Sequence, residues 1–233
     1  MPRENSILGA RLESVESRIR QAADRRGRPR SGITLVAVSK KFSAAAIREA
    51  YQAGLREFGE NYVQEFSEKR PQIGELPGAC FHLIGHLQSN KACDASRLFH
   101  VVQTIDSPKL LRRLDAFAAE QSKTMEVLAE VKLSSEPNKT GASPDQIPFL
   151  LEAAAPCRHL RLTGLMAMPP WSENPEDSRP YFRQLAQLAR KYGLDRLSMG
   201  MSGDFEIAIE EGATIIRVGT ALFGPRPPVS ARR

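Results

Sequence analysis

The stretch Ile33-Thr34-Leu35-Val36-Ala37-Val38-Ser39-Lys40 joins six apolar or β-branched residues to a polar pair. A short apolar run of this kind is typical of a strand that is buried on both faces, as the strands of parallel sheets are. Beyond the polar pair, Ser43 can cap a helix, residues 44–53 favour one, and Gly54 can end it. These residues therefore predict one buried strand followed by one helix.

The same alternation of strand and helix continues through most of the chain. Further strands are predicted at 56–59, 81–84, 101–105, 126–131, 162–166, 197–199 and 214–218. Further helices are predicted at 62–69, 89–95, 108–121, 144–154, 175–192 and 205–211. Each strand but the last is thus followed by a helical stretch. Eight strands in 233 residues favour an α/β fold that closes into a (β/α)8 TIM-type barrel, with an open doubly wound sheet as the alternative.

An extra helix is predicted ahead of the first strand, because residues 7–23 place apolar side chains at helical spacing. A linker rich in glycine, proline and arginine follows it and extends to residue 30. We expect residues 1–233 to form a single domain, in which 1–30 are the N-terminal helix and linker and 225–233 are a flexible tail.

The composition, 41% hydrophobic and 26% charged residues, is that of a soluble globular protein. No apolar run approaches the roughly 20 residues of a membrane helix, and residues 1–6 lack the features of a signal peptide. The formal net charge of +6 could attract nucleic acid, yet the basic residues are scattered and no aromatic RNA-binding signature accompanies them. We therefore expect a cytoplasmic protein that binds neither membranes nor nucleic acid.

The cysteines and histidines give no sign of a metal site. Cys80, Cys93 and Cys157 stand at wide, irregular spacings that fit neither a disulfide framework nor a zinc motif. Of the four histidines, only His82 and His86 are close in sequence, and they fall at the end of a predicted strand. We therefore expect no bound metal.

Polar residues gather where the predicted strands end, which is the face that carries the active site in such barrels. A lysine at the end of the first strand is a candidate for a Schiff base, because a partly desolvated barrel mouth with other cations nearby lowers a lysine pKa. A lysine that simply extends along the surface is the alternative. The residues leave open whether the candidate is Lys40 or Lys41, since neighbouring side chains of a strand point opposite ways.

The loops after the last two strands have the small residues of an anion site. Met199-Gly200-Met201-Ser202-Gly203 turns into a helix, and Gly219-Thr220 forms a second turn. Loops at these positions of the barrel commonly bind phosphate through backbone N–H groups. Asp204 and Glu206 argue against this, because their carboxylates would repel an anion unless they point away. Ordinary turns with a serine cap are the alternative.

Six segments resemble the pyridoxal-phosphate homeostasis protein family, and they follow in that family's order over nearly the whole chain. The segments are LVAVSK (35–40), FGENYVQE (58–65), FHLIGHLQSNK (81–91), GLMAMP (164–169), LSMGMSGD (197–204) and RVGTALFG (217–224).

This resemblance implies the barrel of alanine-racemase-type (fold type III) enzymes without their second domain. It also implies that the ligand is pyridoxal 5'-phosphate (PLP), the vitamin B6 cofactor, held as a Schiff base on Lys40 rather than Lys41. The remaining implied contacts are those to the phosphate, from Ser202, Gly203, Gly219 and Thr220, and further cofactor contacts from Asn61 and Arg217.

The favoured function is that of a carrier or buffer of PLP in its intracellular homeostasis. Arg217 is the expected partner of the ring nitrogen, and an arginine only donates a hydrogen bond, so PLP beside it would be a weak electron sink. Related racemases add a tyrosine from their second domain, and we expect no such domain in this chain. We therefore expect no efficient turnover, with a PLP-dependent amino-acid racemase as the first alternative and a Schiff-base aldolase as the second. The expected partners are apoenzymes that require PLP, and the expected state is a monomer or a weak homodimer.

Overall fold

Eight parallel strands close into a barrel in the computed structural model of this protein, which describes residues 6–134, 136 and 140–225. Each strand pairs with its neighbours in sequence, and the first pairs with the last to complete the ring. The predicted barrel is therefore confirmed, and the open sheet is wrong. The strands are β1 (Thr34–Val38), β2 (Glu57–Glu60), β3 (Cys80–Leu83), β4 (Val101–Ile105), β5 (Met125–Glu130), β6 (Leu160–Met166), β7 (Arg196–Ser198) and β8 (Ile215–Val218).

Helices surround this barrel, and single 3-10 turns precede several of them. No helix among the described residues is long and apolar enough to cross a membrane. Of the predicted tail at 225–233, all but Pro225 lies outside the described residues, so the domain limits stay a prediction. The helices are α1 (Ile7–Asp24), α2 (Ala44–Gln52), α3 (Val63–Ile73), α4 (Ala92–Leu98), α5 (Pro108–Glu120), α6 (Ile147–Ala154), α7 (Arg179–Lys191), α8 (Phe205–Glu210) and α9 (Thr220–Phe223).

Two predictions about the helices are wrong. The third helix does not stop at residue 69, because the buried side chain of Ile73 continues the apolar face past Pro71. The last strand is also followed by a helix, α9, where only a turn was predicted. Leu222 is fully buried there, and the Phe223 ring lies 5.0 Å from the ring of Phe42, so packing stabilises a helix too short to be recognised from periodicity.

The N-terminal helix is attached to the end of the chain. Arg18 of α1 pairs with Glu206 of α8 at 2.6 Å, and its guanidinium lies 4.5 Å from the centre of the Phe205 ring. Beyond the helix, Arg28 donates hydrogen bonds to the carbonyl oxygens of Ile209 and Ala213, each at 2.8 Å. The helix predicted at 7–23 is thus present, and its contacts fix the position of α8, the helix that follows β7.

The side chains of β1 alternate between the interior of the barrel and the core outside the sheet. Val36 packs inside with apolar side chains from four other strands, whereas Leu35 and Ala37 belong to the core between the sheet and the helices. Val38 has the same parity as Val36 and continues toward the mouth of the barrel. Lys40, two residues further on, keeps this inward parity.

Candidate functional site

A cavity of about 520 Å³ opens where the carboxyl ends of the strands meet. Its size is that of a small-molecule or cofactor site. The structure brings all seven residues predicted to contact the cofactor into its wall, although their contact with a ligand stays a prediction. These residues are Lys40, Asn61, Ser202, Gly203, Arg217, Gly219 and Thr220.

The backbone around the two candidate lysines distinguishes them. Lys40 lines the cavity, whereas Lys41 is exposed and does not belong to its wall. Lys41 has a φ of 65°, in the left-handed region, so the chain turns sharply there and the alternation of the strand ends. Its backbone N–H donates to the carboxylate of Glu65 at 2.6 Å, which fixes the turn. The geometry therefore favours Lys40 as the lysine that can reach a ligand.

A buried cluster of charges supports the turn that carries Lys40. The ammonium of Lys69 donates to Glu60 Oε1 at 2.8 Å and to the carbonyl oxygen of Ser39 at 3.1 Å. The Ser39 hydroxyl donates to the same Glu60 oxygen at 2.8 Å. Glu60 is fully buried and Lys69 nearly so, and burial raises the pKa of Glu60 against the opposing effects of Lys69 and Ser39. The backbone before Lys40 is thus held by a buried ion pair.

Sequence reasoning missed this cluster, although one signal was available. Lys69 lies between Phe66 and Ile73 on the buried face of α3, where a charged residue is out of place unless an opposite charge faces it. Glu60 at the end of the neighbouring strand is that charge.

Replacing Lys69 by methionine is expected to lower the free energy of unfolding by about 3–5 kcal/mol at neutral pH, because Glu60 is left buried without its cation. Since the pKa of Glu60 would then rise further, the loss should be smaller at pH 5 than at pH 7. Urea denaturation at the two pH values measures both effects. Lys109→Met, at an exposed position of α5, is the control and should change stability by less than about 0.5 kcal/mol. An equal, small effect of both substitutions would contradict a structural role for the pair.

Arg217 of β8, the strand next to β1, brings a positive charge to the cavity. Its guanidinium donates to the Ser198 hydroxyl oxygen at 2.6 Å and to the carbonyl oxygen of Ala167 at 3.0 Å. Burial lowers the pKa of Arg217 to about 10, while the nearby carboxylates of Asp204 and Glu130 oppose this shift. The group therefore stays charged at neutral pH, with further N–H donors available to a ligand.

The loops after β7 and β8 meet through the Ser202 side chain. Its hydroxyl oxygen accepts hydrogen bonds from the backbone N–H groups of Gly219, at 3.2 Å, and Ala221, at 3.3 Å. Ser202, Gly203, Gly219 and Thr220 thus form one wall of backbone N–H groups and hydroxyls. Such a wall is suited to an anion.

The two carboxylates that argued against an anion are positioned differently from one another. Glu206 points away from the cavity to its ion pair with Arg18. Asp204 does line the cavity, but its oxygens accept from the Met201 N–H at 2.7 Å and the Ser178 hydroxyl at 2.9 Å. One of the two objections is therefore removed, and the second carboxylate is largely occupied by its own hydrogen bonds.

A long loop after β6 completes the cavity, and sequence reasoning missed it beyond residue 169. Pro170 and Trp171 line the cavity, together with four further residues between 168 and 175, and the Trp171 side chain is 82% exposed. Loops have no periodicity from which to infer their position. A tryptophan after two prolines, just beyond a predicted strand, was the available signal.

One group of possible metal ligands lies elsewhere, near the amino ends of β2 and β3. Ligand atoms of Glu57, Cys80 and His82 are all within 4.8 Å of one another. His82 already uses both ring nitrogens, Nε2 with Glu57 at 2.6 Å and Nδ1 with Gln103 at 2.9 Å. The expected absence of a metal stays a prediction, and these contacts account for the group without one.

Comparison with known proteins identifies the family. The sequence matches the alanine racemase N-terminal domain family over residues 11–227. A pyridoxal phosphate homeostasis protein of Pseudomonas aeruginosa is 42% identical over 223 residues, which are 95% of this chain and 96% of that protein. PipY of Synechococcus elongatus, solved with PLP bound, is 38% identical with a TM-score of 0.78, and the match covers 89% of this chain and 100% of PipY.

The likeness to racemases is more distant. An alanine racemase of Clostridium difficile is 13% identical with a TM-score of 0.71, over 95% of this chain and 57% of the racemase. That match shows the fold alone, whereas the Pseudomonas aeruginosa and Synechococcus elongatus proteins match over nearly their full lengths. This chain therefore belongs to the pyridoxal phosphate homeostasis proteins, a family built on the alanine racemase N-terminal domain.

Proposed function

We propose that this protein binds PLP in the cavity at the mouth of the barrel and takes part in PLP homeostasis as a carrier or buffer. The observation that carries the proposal is that a lysine, a buried arginine and a wall of N–H and hydroxyl groups share one cavity. The Pseudomonas aeruginosa relative is named a pyridoxal phosphate homeostasis protein, and PipY, which is similar over its full length, was solved with PLP bound.

The chemistry of the cavity fits the three functional groups of PLP. The amine of Lys40 can condense with the aldehyde to form a Schiff base, and one water leaves. Arg217 can donate a hydrogen bond to the ring nitrogen, an acceptor. The Ser202 hydroxyl and the backbone N–H groups of Gly203 and Thr220 can donate hydrogen bonds to the phosphate, and Asn61 also lines the cavity.

Turnover is expected to be inefficient, because the described lining of the cavity does not supply two aids to proton removal. PLP is a strong electron sink when its ring nitrogen is protonated, which a charged arginine does not support. None of the four tyrosines (Tyr51, Tyr62, Tyr181, Tyr192), all of them described, lines the cavity as a second acid or base. These features favour binding and release of PLP over the racemase alternative.

The state of the cysteines bears on the cellular location of the protein. The three cysteines are free thiols, as is usual in a reducing compartment, which supports a cytoplasmic location. The partners of a PLP carrier there would be apoenzymes that require PLP. We infer a monomer or a weak homodimer as the working state.

Titration of the purified protein with PLP tests the proposal. We expect saturable binding with one PLP per chain and a visible absorption band that survives dialysis and is removed by borohydride reduction. Absence of saturable binding would overturn the proposal. So would an unfolded protein that still binds one PLP per chain.

Changing Ser202 to aspartate is expected to weaken PLP binding by roughly 100-fold and to change the affinity for pyridoxal by less than about threefold. The new carboxylate would face the dianionic phosphate, and like charges held together cost several kcal/mol. Equilibrium binding of both ligands measures the difference. Ser6→Asp, at the N-cap of α1, adds the same charge far from the cavity and should leave both affinities unchanged. Equal losses for PLP and pyridoxal would count against a phosphate role for this loop.

A further inference from the structure

A continuous row of hydrogen bonds crosses the interior of the barrel from the cavity to the opposite end. Arg217 Nη1 donates to Ser198 Oγ at 2.6 Å, and the Ser198 hydroxyl donates to Gln103 Oε1, also at 2.6 Å. Gln103 Nε2 lies 2.9 Å from His82 Nδ1, and His82 Nε2 lies 2.6 Å from Glu57 Oε2. Five side chains from five strands thus form one connected polar row.

With the Gln103 amide oriented as in the structure, the donors and acceptors of this row all run in one direction. Because the amide nitrogen of Gln103 faces His82, Nδ1 of that ring has to accept. The ring proton then sits on Nε2, where it donates to the Glu57 carboxylate. Every hydrogen bond from Arg217 to Glu57 therefore runs the same way, and reversing any one of them would leave two donors or two acceptors facing each other.

Burial makes the row costly to break. Ser198 and Gln103 are completely buried, and His82 and Arg217 are 2% and 3% exposed. A buried polar network of this kind holds its members rigidly when all of them are paired, and it is destabilising when one partner is removed. Gln103, Ser198 and His82 do not line the cavity, so their direct contact with a ligand is not needed to explain them.

The row fixes the orientation of Arg217. A guanidinium is planar, so holding Nη1 at Ser198 and Nη2 at Ala167 sets the plane and the directions of the remaining N–H groups. Because the Ser198 hydroxyl donates its proton to Gln103, the lone pairs of its oxygen are directed toward Nη1. The amide of Gln103 is in turn oriented by His82.

We propose that Gln103, with Ser198 and His82, positions Arg217 to donate its hydrogen bond to the ring nitrogen of PLP. These are positioning residues, since they do not line the cavity and would act through Arg217. The inference rests on the proposed function. It adds that the orientation of the arginine is set by side chains of other strands, which do not line the cavity.

The test compares PLP with its deaza analogue, in which a C–H group replaces the ring nitrogen and cannot accept the hydrogen bond. Gln103→Met keeps the approximate size of the side chain and removes both of its polar ends. We expect this variant to bind PLP about tenfold more weakly, which is about 1.4 kcal/mol. Its affinity for the deaza analogue should stay within about twofold of that of the parent protein. Equilibrium titration with each ligand supplies the four constants.

The control is Thr104→Val in the same strand. Thr104 is completely buried and its hydroxyl donates to the carbonyl oxygen of Gly85 at 2.8 Å, so the variant also loses one buried hydrogen bond, outside the row. It should bind both ligands as the parent protein does. Ser198→Ala, which removes only a hydroxyl, serves as a second variant should Gln103→Met fold poorly, and the same pattern is expected of it.

The possible outcomes separate the two proposals. Equal losses for PLP and the deaza analogue in Gln103→Met or Ser198→Ala would overturn the positioning role and leave the proposed function standing. Equal affinities of the parent protein for the two ligands would also overturn the positioning role and leave the proposed function standing. Failure of the parent protein to bind PLP at all would overturn the proposed function and the inference with it.

Discussion

Replacing Lys40 by alanine is expected to abolish the visible absorption band of the PLP-loaded protein, whereas Lys41→Ala is expected to retain it. Lys40 has the inward parity of Val36 and Val38 and lines the cavity, while Lys41 follows a sharp turn and is exposed. Because the Schiff base requires an amine within reach of the aldehyde, no neighbouring lysine should replace Lys40.

Absorption spectra after PLP loading and dialysis measure this effect, and mass spectrometry after borohydride reduction locates the modified lysine. Lys41→Ala is a matched control, since it removes the same charge one residue away. A retained band in Lys40→Ala, or a reduced adduct on another lysine, would place the Schiff base elsewhere and contradict the assignment.

The parent protein is expected to exchange the α-hydrogen of amino acids far more slowly than an enzyme does. An arginine beside the ring nitrogen would not protonate it, and no described tyrosine lines the cavity as a second acid or base, which alone would cost roughly 10²–10⁴-fold in rate. Incubation of a panel of amino acids with the PLP-loaded protein in heavy water, followed by mass detection, measures the exchange. Rates of about 1 s⁻¹ or faster would overturn the carrier proposal and favour the racemase alternative.

The variant Arg217→Glu is expected to gain exchange activity relative to the parent, provided that it still binds PLP. A carboxylic acid at this position could protonate the ring nitrogen, and the nearby carboxylates of Asp204 and Glu130 would favour its protonated form. Arg217→Gln supplies a neutral hydrogen-bond donor and is the control that should gain nothing. Equal exchange in both variants would contradict a role of the ring nitrogen in limiting turnover.

The strands could be predicted from sequence because a strand buried on both faces needs a short run of apolar residues, as in 33–38. Lys40 could be distinguished from Lys41 only with the structure, or through the family resemblance. Which alternate side chains of one strand point inward depends on the closure of the whole barrel. The short helix at 220–223 was missed for a related reason, since packing against Phe42 stabilises it.

The support around the candidate site was the least predictable part. Each member of the row from Arg217 to Glu57 lies on a different strand, and sequence shows neither which strands face each other across the barrel nor how a side chain is rotated. The Glu60–Lys69 pair is an intermediate case. A lysine on a buried helix face indicates that a partner exists, but only the fold identifies it.

The attachment of the first helix to the last part of the chain has a consequence for how the protein is made. Arg18 and Glu206 are separated by 188 residues, and β1 completes its ring of hydrogen bonds only with β8. Contacts so distant in sequence raise the contact order and slow folding. A ribosome-bound chain would present the unpartnered apolar face of α1 and an unclosed sheet until α8 and β8 have emerged. The protein is therefore expected to depend on protection from aggregation during synthesis, and to become able to bind its ligand only after β8 has been made.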